Sequence, residues 1–143
     1  MARSFQVTMD ASEPARLAEF WAAALGYVLQ PPPPGFGSWE ELLEANGVPR
    51  EQWGAASAIV DPDGVGPRFF FQRVPEPKAA KNRVHIDLQT GGGPGVPLDE
   101  QRRTVQKEVG RLVGLGATEV SEHSALGVYW VVMRDPEGNE FCA

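Results

Sequence analysis

The feature that most constrains the fold is a repeat in the order of predicted elements. Each half of the 143-residue chain has the order strand, amphipathic helix, Leu-Gly, strand, strand, Asp-Pro-acid-Gly turn, strand. The Leu-Gly pairs are residues 25–26 and 115–116, and the turns are residues 61–64 and 135–138. This order predicts an α+β fold of two βαβββ modules that form an open, barrel-like mixed sheet around a cleft.

The first module is predicted over residues 1–74. Apolar and polar residues alternate over 4–9, which predicts a strand, and apolar residues at helical spacing follow. Asp10 or Ser12 is the predicted cap of that helix, and Gly26 is its predicted end. Three further strands are predicted over residues 27–30, 55–60 and 67–74.

Residues 31–54 are predicted to be an insertion in the first module, because four consecutive prolines stop the preceding strand. Ser38 followed by Glu41 is a capping-box pattern, which predicts a short helix over residues 39–45. The segment 35–54 either packs on its own module or forms a lid-like wall of a ligand pocket. Packing is the favoured interpretation.

The second module is predicted over residues 83–143, after a linker over 75–82. Its first strand is predicted over 83–88, where His85 lies on a polar face that alternates with an apolar one. A strand with one ionisable face is expected to line a cleft. The glycine-rich residues 91–95 match no phosphate-binding spacing and predict a flexible loop. A helix capped by Asp99 and three more strands, over residues 117–121, 127–133 and 139–143, complete the module.

Composition excludes several classes of function. The net charge of −6 argues against binding to a phosphate backbone, so no nucleic-acid partner is expected. No apolar run is long enough to cross a membrane, and the first residues lack the layout of a signal peptide. A single cysteine excludes an internal disulfide framework and fits a reducing cytoplasm.

Three stretches together resemble the glyoxalase/bleomycin resistance/dioxygenase, or vicinal oxygen chelate, superfamily, and specifically its glyoxalase-like subgroup. They are Phe20-Trp21 with Leu25-Gly26, then residues 82–88, and finally the closing Asp135-Pro136-Glu137-Gly138-Asn139-Glu140-Phe141. The resemblance covers nearly the whole chain. It implies the two-module fold, a homodimer and a small-molecule ligand in the cleft.

The resemblance also implies candidate metal positions, because metal-using members place one ligand on the first and last strand of each module. Their counterparts in this chain are Gln6, Gln72, His85 and Cys142. Gln6 and His85 fit as metal ligands, whereas Gln72 and Cys142 stand where glutamates are usual. The expected cofactor is therefore either none or a divalent metal held by Gln6 and His85. The same four residues have structural alternatives, such as a Gln6–Gln72 hydrogen bond or a His85 network with Asp87 or Arg83.

The predicted function is the binding of a small, aromatic or otherwise apolar organic molecule, with turnover left open. His85 is the candidate catalytic residue, because histidine is the side chain type best suited to acid–base chemistry near neutral pH. The expected walls of the ligand site are Trp39, Trp53, Phe70 and Trp130. The alternatives are a metal-dependent lyase, isomerase or dioxygenase, and a resistance-type protein that sequesters a drug. His123, next to Ser124 in a predicted loop, is interpreted as a surface residue.

Overall fold

A computed structural model describes residues 1–143 and divides into two compact units, residues 1–77 and 78–143. The first unit holds a four-stranded sheet in the order β1-β4-β3-β2, in which β1 and β4 are parallel and the other neighbours are antiparallel. Its elements are β1 Gln6–Ala11, α1 Pro14–Leu25, β2 Val28–Leu29, α2 Trp39–Ala45, β3 Ala56–Val60 and β4 Arg68–Arg73, with a short 3₁₀ turn at Arg50–Gln52.

Helix α1 covers one face of this sheet. Its apolar stripe buries Leu17 and Trp21 almost completely, and the Trp21 ring stacks on Phe69 with 6.5 Å between ring centroids. The helix ends as predicted at Gly26, whose φ of 71° is left-handed. The predicted caps are wrong: the cap position is Glu13, because pairing with β4 keeps the chain extended through Ala11.

The insertion forms the short helix α2 where the capping pattern predicted it. Ser38 Oγ accepts a hydrogen bond from the Glu41 backbone N–H at 3.1 Å. The Glu41 carboxylate accepts the N–H of Gly37 at 2.8 Å, one residue earlier than in a standard capping box.

The second unit holds a three-stranded antiparallel sheet in the order β5-β6-β7. Its elements are α3 Leu98–Gly114, β5 Thr118–Ala125, β6 Val128–Arg134 and β7 Glu140–Cys142. Helix α3 packs on the face of β6 that buries Tyr129, Val131 and Met133. The cap position of α3 is Pro97 rather than Asp99, which lies in the first turn, where its charge complements the helix dipole.

The predicted strand over residues 83–88 is wrong in extent. It is reduced to one parallel bridge between Asp87 and Cys142, with backbone hydrogen bonds from Leu88 N to Cys142 O and from Cys142 N to Ile86 O. Side-chain bonds to Glu140 fix the preceding residues instead, because its carboxylate accepts the Asn82 N–H and the Lys78 ammonium, both at 3.0 Å. These donors, the Asn82 N–H foremost, lower the pKa of Glu140 to about 2.

The two units repeat one topology. When residues 86–88 are taken as the missing strand, the second sheet runs 86–88, β7, β6, β5, which matches β1, β4, β3, β2 and includes the parallel pair. The Asp-Pro turns also match, since Gly64 N donates to Asp61 O at 3.0 Å and Gly138 N donates to Asp135 O at 2.9 Å. The α+β prediction of two βαβββ modules is confirmed, with two open sheets. No helix is both long and apolar enough to cross a lipid bilayer.

Candidate functional site

The second sheet leaves one face free of helix. Along β6, residues 129, 131 and 133 face α3, so Trp130 and Val132 fall on the opposite face. Cys142 pairs with Val132 on the neighbouring strand, and Asp87 bridges to Cys142 on its other side. Alternation therefore brings these four side chains to one surface of the second unit.

A cleft of about 570 Å³ opens on this surface. Its floor includes Trp130, Val132 and Cys142, and one wall is the backbone and side chains of residues 87–94. His85 also lines the cleft. The cleft thus combines an aromatic and apolar floor with a small set of ionisable groups, the composition typical of small-molecule sites.

Asp87 connects the other two ionisable groups of the cleft. His85 Nδ1 lies 2.7 Å from Asp87 Oδ1, and the Cys142 thiol also hydrogen-bonds to Asp87. Burial first, and then Asp87, raises the pKa of Cys142 to about 11, against a smaller opposing effect of Lys81. Cys142 is therefore a neutral thiol at physiological pH, and a poor nucleophile.

The same arrangement equips His85 for proton transfer. A carboxylate at Nδ1 favours the tautomer with the proton on Nδ1, which leaves Nε2 as the acceptor that can act as a base. The His85 and Asp87 side chains remain 40% and 51% exposed, so a ligand in the cleft can reach them. Of the structural alternatives for His85, the network with Asp87 is the one present.

The glycine loop of the cleft wall is fixed by a buried side chain. Gln101 on α3 is 0% exposed, and the two hydrogens of its Nε2 are shared among the carbonyls of Gly93, Val96 and Gly127 at 3.0, 2.7 and 2.8 Å. Its Oε1 accepts the backbone N–H of Tyr129 at 3.0 Å. Gln101 therefore joins the loop, the β5–β6 turn and the strand that carries Trp130.

His123 lies in β5 rather than in a loop, and it is exposed as predicted. Its ring stacks on Trp130 with 5.5 Å between centroids and an angle of 17°, and its Nε2 lies 2.8 Å from Ser121 Oγ. These contacts support the Trp130 ring from the side of β5.

The first unit carries the remaining predicted site residues. Gln6 and Gln72 both lie on the sheet face opposite α1, but the strand register pairs Gln6 with Arg68 and Gln72 with Asp10. Four residues of strand, about 13 Å, separate those two pairs. Gln6 Oε1 accepts a hydrogen bond from Arg68 at 2.9 Å, and Gln72 Nε2 donates to Asp10 at 2.8 Å. The Gln6–Gln72 hydrogen bond, which was one structural alternative for these residues, is not formed.

The predicted aromatic walls are distributed over both units. Phe70 lies in β4 beneath the Arg68 guanidinium. Trp39 and Trp53 lie in the insertion, where their indole N–H groups donate to the carbonyls of Gln30 and Val48 at 2.8 and 2.9 Å. Of the four predicted walls, Trp130 is the one that lines the cleft of the second unit.

A divalent metal of the kind used in this superfamily does not fit the first unit. The amide oxygen of Gln6 already binds a guanidinium, whose positive charge repels a second cation. In the second unit, ligand atoms of His85, Asp87 and Cys142 lie within 4.8 Å of one another, and zinc accepts all three donor types. The sequence indicated Asp87 only as a neighbour of His85. Its bridge to Cys142 is what makes Asp87 a residue of this site.

A family model described as a glyoxalase-like domain matches residues 6–143. The chain belongs to this family. No curated protein matches this glyoxalase-like chain. Among solved structures, a glyoxalase/bleomycin resistance protein/dioxygenase family enzyme from Burkholderia phytofirmans is 14% identical, with a TM-score of 0.58 over 96% of this chain and 93% of that one.

Two further solved structures share the fold of this glyoxalase-like chain. The fosfomycin resistance protein FosX from Listeria monocytogenes, as a mutant complexed with Mn(II) and dihydroxypropylphosphonic acid, is 11% identical, with a TM-score of 0.60 over 99% of this chain and 89% of that one. TioX from Micromonospora is 15% identical, with a TM-score of 0.52 over 99% of this chain and 96% of that one. These similarities confirm the fold. At sequence identities this low, they do not assign an activity to this chain.

Proposed function

We propose that this glyoxalase-like protein binds a small organic molecule in the cleft of its second unit. The observation that supports the proposal most is the pairing of His85 with Asp87 at 2.7 Å beside an apolar floor that includes Trp130. A flat, apolar ligand body would lie on the Trp130 ring and Val132. A polar group of the ligand would face Nε2 of His85.

The cleft selects ligands by charge as well as by shape. Within residues 85–94 and 128–132, Asp87 supplies a carboxylate, and no lysine or arginine lines the cleft. A neutral hydroxyl or a protonated amine therefore suits the polar end of the ligand better than a carboxylate. Turnover would begin with proton transfer to Nε2 of His85, and sequestration would end at binding.

Binding of 2-naphthol and 2-naphthylmethylamine, whose amine is protonated at neutral pH, tests the proposal by isothermal titration. Trp130→Ala and His85→Gln are both expected to weaken binding about tenfold or more, because each removes one of the two contacts. Arg103→Met, an exposed position on α3, is the matched control and should bind like the wild type. Unchanged affinity in both site variants would place the ligand elsewhere and reject the proposal.

A metal-dependent enzyme is the second candidate, and the clustering of His85, Asp87 and Cys142 is the observation that favours it. It predicts close to one bound zinc or cobalt per chain, lost in His85→Ala and in Asp87→Asn. A cobalt–thiolate absorption band that disappears in Cys142→Ser would show that the thiol is a ligand. Metal content at background after dialysis against each ion would reject this candidate and leave metal-free binding in place.

A further inference from the structure

On the first unit, one arginine is held by its neighbours on three sides. Nε of Arg68 donates to Gln30 Oε1 at 2.6 Å, and Nη1 donates to Gln6 Oε1 at 2.9 Å. Its guanidinium carbon lies 5.3 Å from the centre of the Phe70 ring. A long side chain that is usually mobile is therefore fixed in one orientation.

The charge of this arginine has no counter-ion. Both groups that accept hydrogen bonds from Arg68 are neutral amides, and none of the ion pairs of the chain includes it. The nearest carboxylate along the strand register is Asp10, which is four residues from the partner of Arg68 and binds Gln72. A half-buried cation that is paired only with neutral groups attracts an anion more strongly than an exposed one does.

Donors remain available on the same group. The structure gives Nη2 of Arg68 no acceptor, so both of its N–H groups are free to bind. A guanidinium presents such N–H groups in a planar fork that matches the oxygen atoms of a carboxylate or a phosphonate. Ordering a mobile arginine side chain normally opposes such binding. Gln6, Gln30 and Phe70 already hold Arg68 in one orientation, so it loses little conformational entropy when an anion binds.

We propose that Arg68 is the centre of a binding site for a small organic oxyanion, a carboxylate or a phosphonate. The site lies on the face of β1 and β4 opposite α1, at the position where a metal does not fit. Gln6 and Gln30 are positioning residues, because they act on the anion through Arg68.

Titration with benzoate and phenylphosphonate, with the neutral benzamide as a matched probe, tests this site on the full chain. The readout is the nitrogen–proton NMR signal of Nε in Arg68, assigned by its loss in Arg68→Lys. Benzoate or phenylphosphonate should shift this signal with saturation, and benzamide should leave it unchanged. Whichever anion binds with the higher affinity identifies the preferred head group.

Variants, whose affinities are measured by isothermal titration because Arg68→Met lacks the Nε signal, separate an anion site from a structural arginine. Arg68→Met should weaken anion binding about tenfold or more, and Gln30→Met should weaken it by a smaller factor while the charge is retained. Arg103→Met removes the same charge from an exposed position and should have no effect. Arg68→Met can also lower stability, so the comparison is made at a temperature where every variant is folded. Equal binding of benzoate and benzamide, no saturable shift, or unchanged affinity in Arg68→Met would each overturn the proposal.

Discussion

Replacement of Gln101 by methionine isolates the contribution of one buried amide to the second unit. Methionine has a similar volume and no hydrogen-bonding amide, so the change removes four contacts and leaves no large cavity. The backbone N–H of Tyr129, a residue that is 3% exposed, then loses its acceptor. Gly127 is exposed and Gly93 is half-buried, so their carbonyls can turn to water.

The expected cost follows from these four contacts. A buried N–H without an acceptor costs about 1–3 kcal/mol, and each lost donation to a carbonyl costs about 0.5–1.5 kcal/mol before water replaces it. Because water recovers part of the loss at the two glycines, the net decrease in the free energy of unfolding should be about 2–4 kcal/mol. For a chain of this length the midpoint of thermal unfolding should fall by about 5–15 °C.

Urea and thermal unfolding of Gln101→Met, with Arg103→Met from the same helix as the control, measure this loss. The variant should also bind cleft ligands more weakly, because Gln101 holds the loop that forms one wall. A decrease below about 1 kcal/mol would show that the amide network does not stabilise the unit, and would refute the reasoning.

Three shorter predictions concern protonation and packing. The pKa of Glu140 is lowered from 4.5 to about 2, so its ionised carboxylate stabilises the fold above pH 4.5. Urea unfolding should therefore show the wild type as more stable than Glu140→Gln at neutral pH. This difference in stability should shrink as the pH falls from 4.5 to 2. Cys142 should react slowly with iodoacetamide at pH 8. Asp87→Asn should accelerate the reaction severalfold, because it removes a carboxylate that raises the pKa of the Cys142 thiol. An unchanged rate would exclude the contact between Asp87 and Cys142. Gly66→Ala should lower the unfolding midpoint because a Cβ there collides with the Tyr27 hydroxyl, and Tyr27→Phe should restore part of the loss.

Local patterns in the sequence predicted the elements whose causes are local. The helix at 39–45 begins directly after Ser38, because the Ser38 side chain accepts a hydrogen bond from the Glu41 backbone N–H. These two residues are only three apart in the sequence. The two Asp-Pro turns and the end of α1 at Gly26 have equally local causes. The order of these elements was sufficient to identify the fold, because few topologies repeat a βαβββ order within one chain.

The site was less predictable because its contacts are not local. Gln101 has no distinguishing pattern around it, and its importance comes from hydrogen-bond partners up to 28 residues away. Arg68 became notable only when the strand register placed it opposite Gln6, 62 residues away. The alternation at 83–88 predicted a full strand, but a neighbouring strand of three residues offers too few partners to continue the ladder.

The short bridge that holds His85 has a kinetic consequence. Two main-chain hydrogen bonds, between Cys142 and residues 86 and 88, attach this segment to the sheet, whereas β5 and β6 are paired over seven residues with one bulge at Val120. The segment should therefore open locally far more often than the hairpin, and its amide protons should exchange with solvent earlier. A ligand that contacts His85 binds the form in which these two hydrogen bonds are intact. The more tightly the ligand binds, the more slowly the amide protons of Leu88 and Cys142 should exchange with solvent.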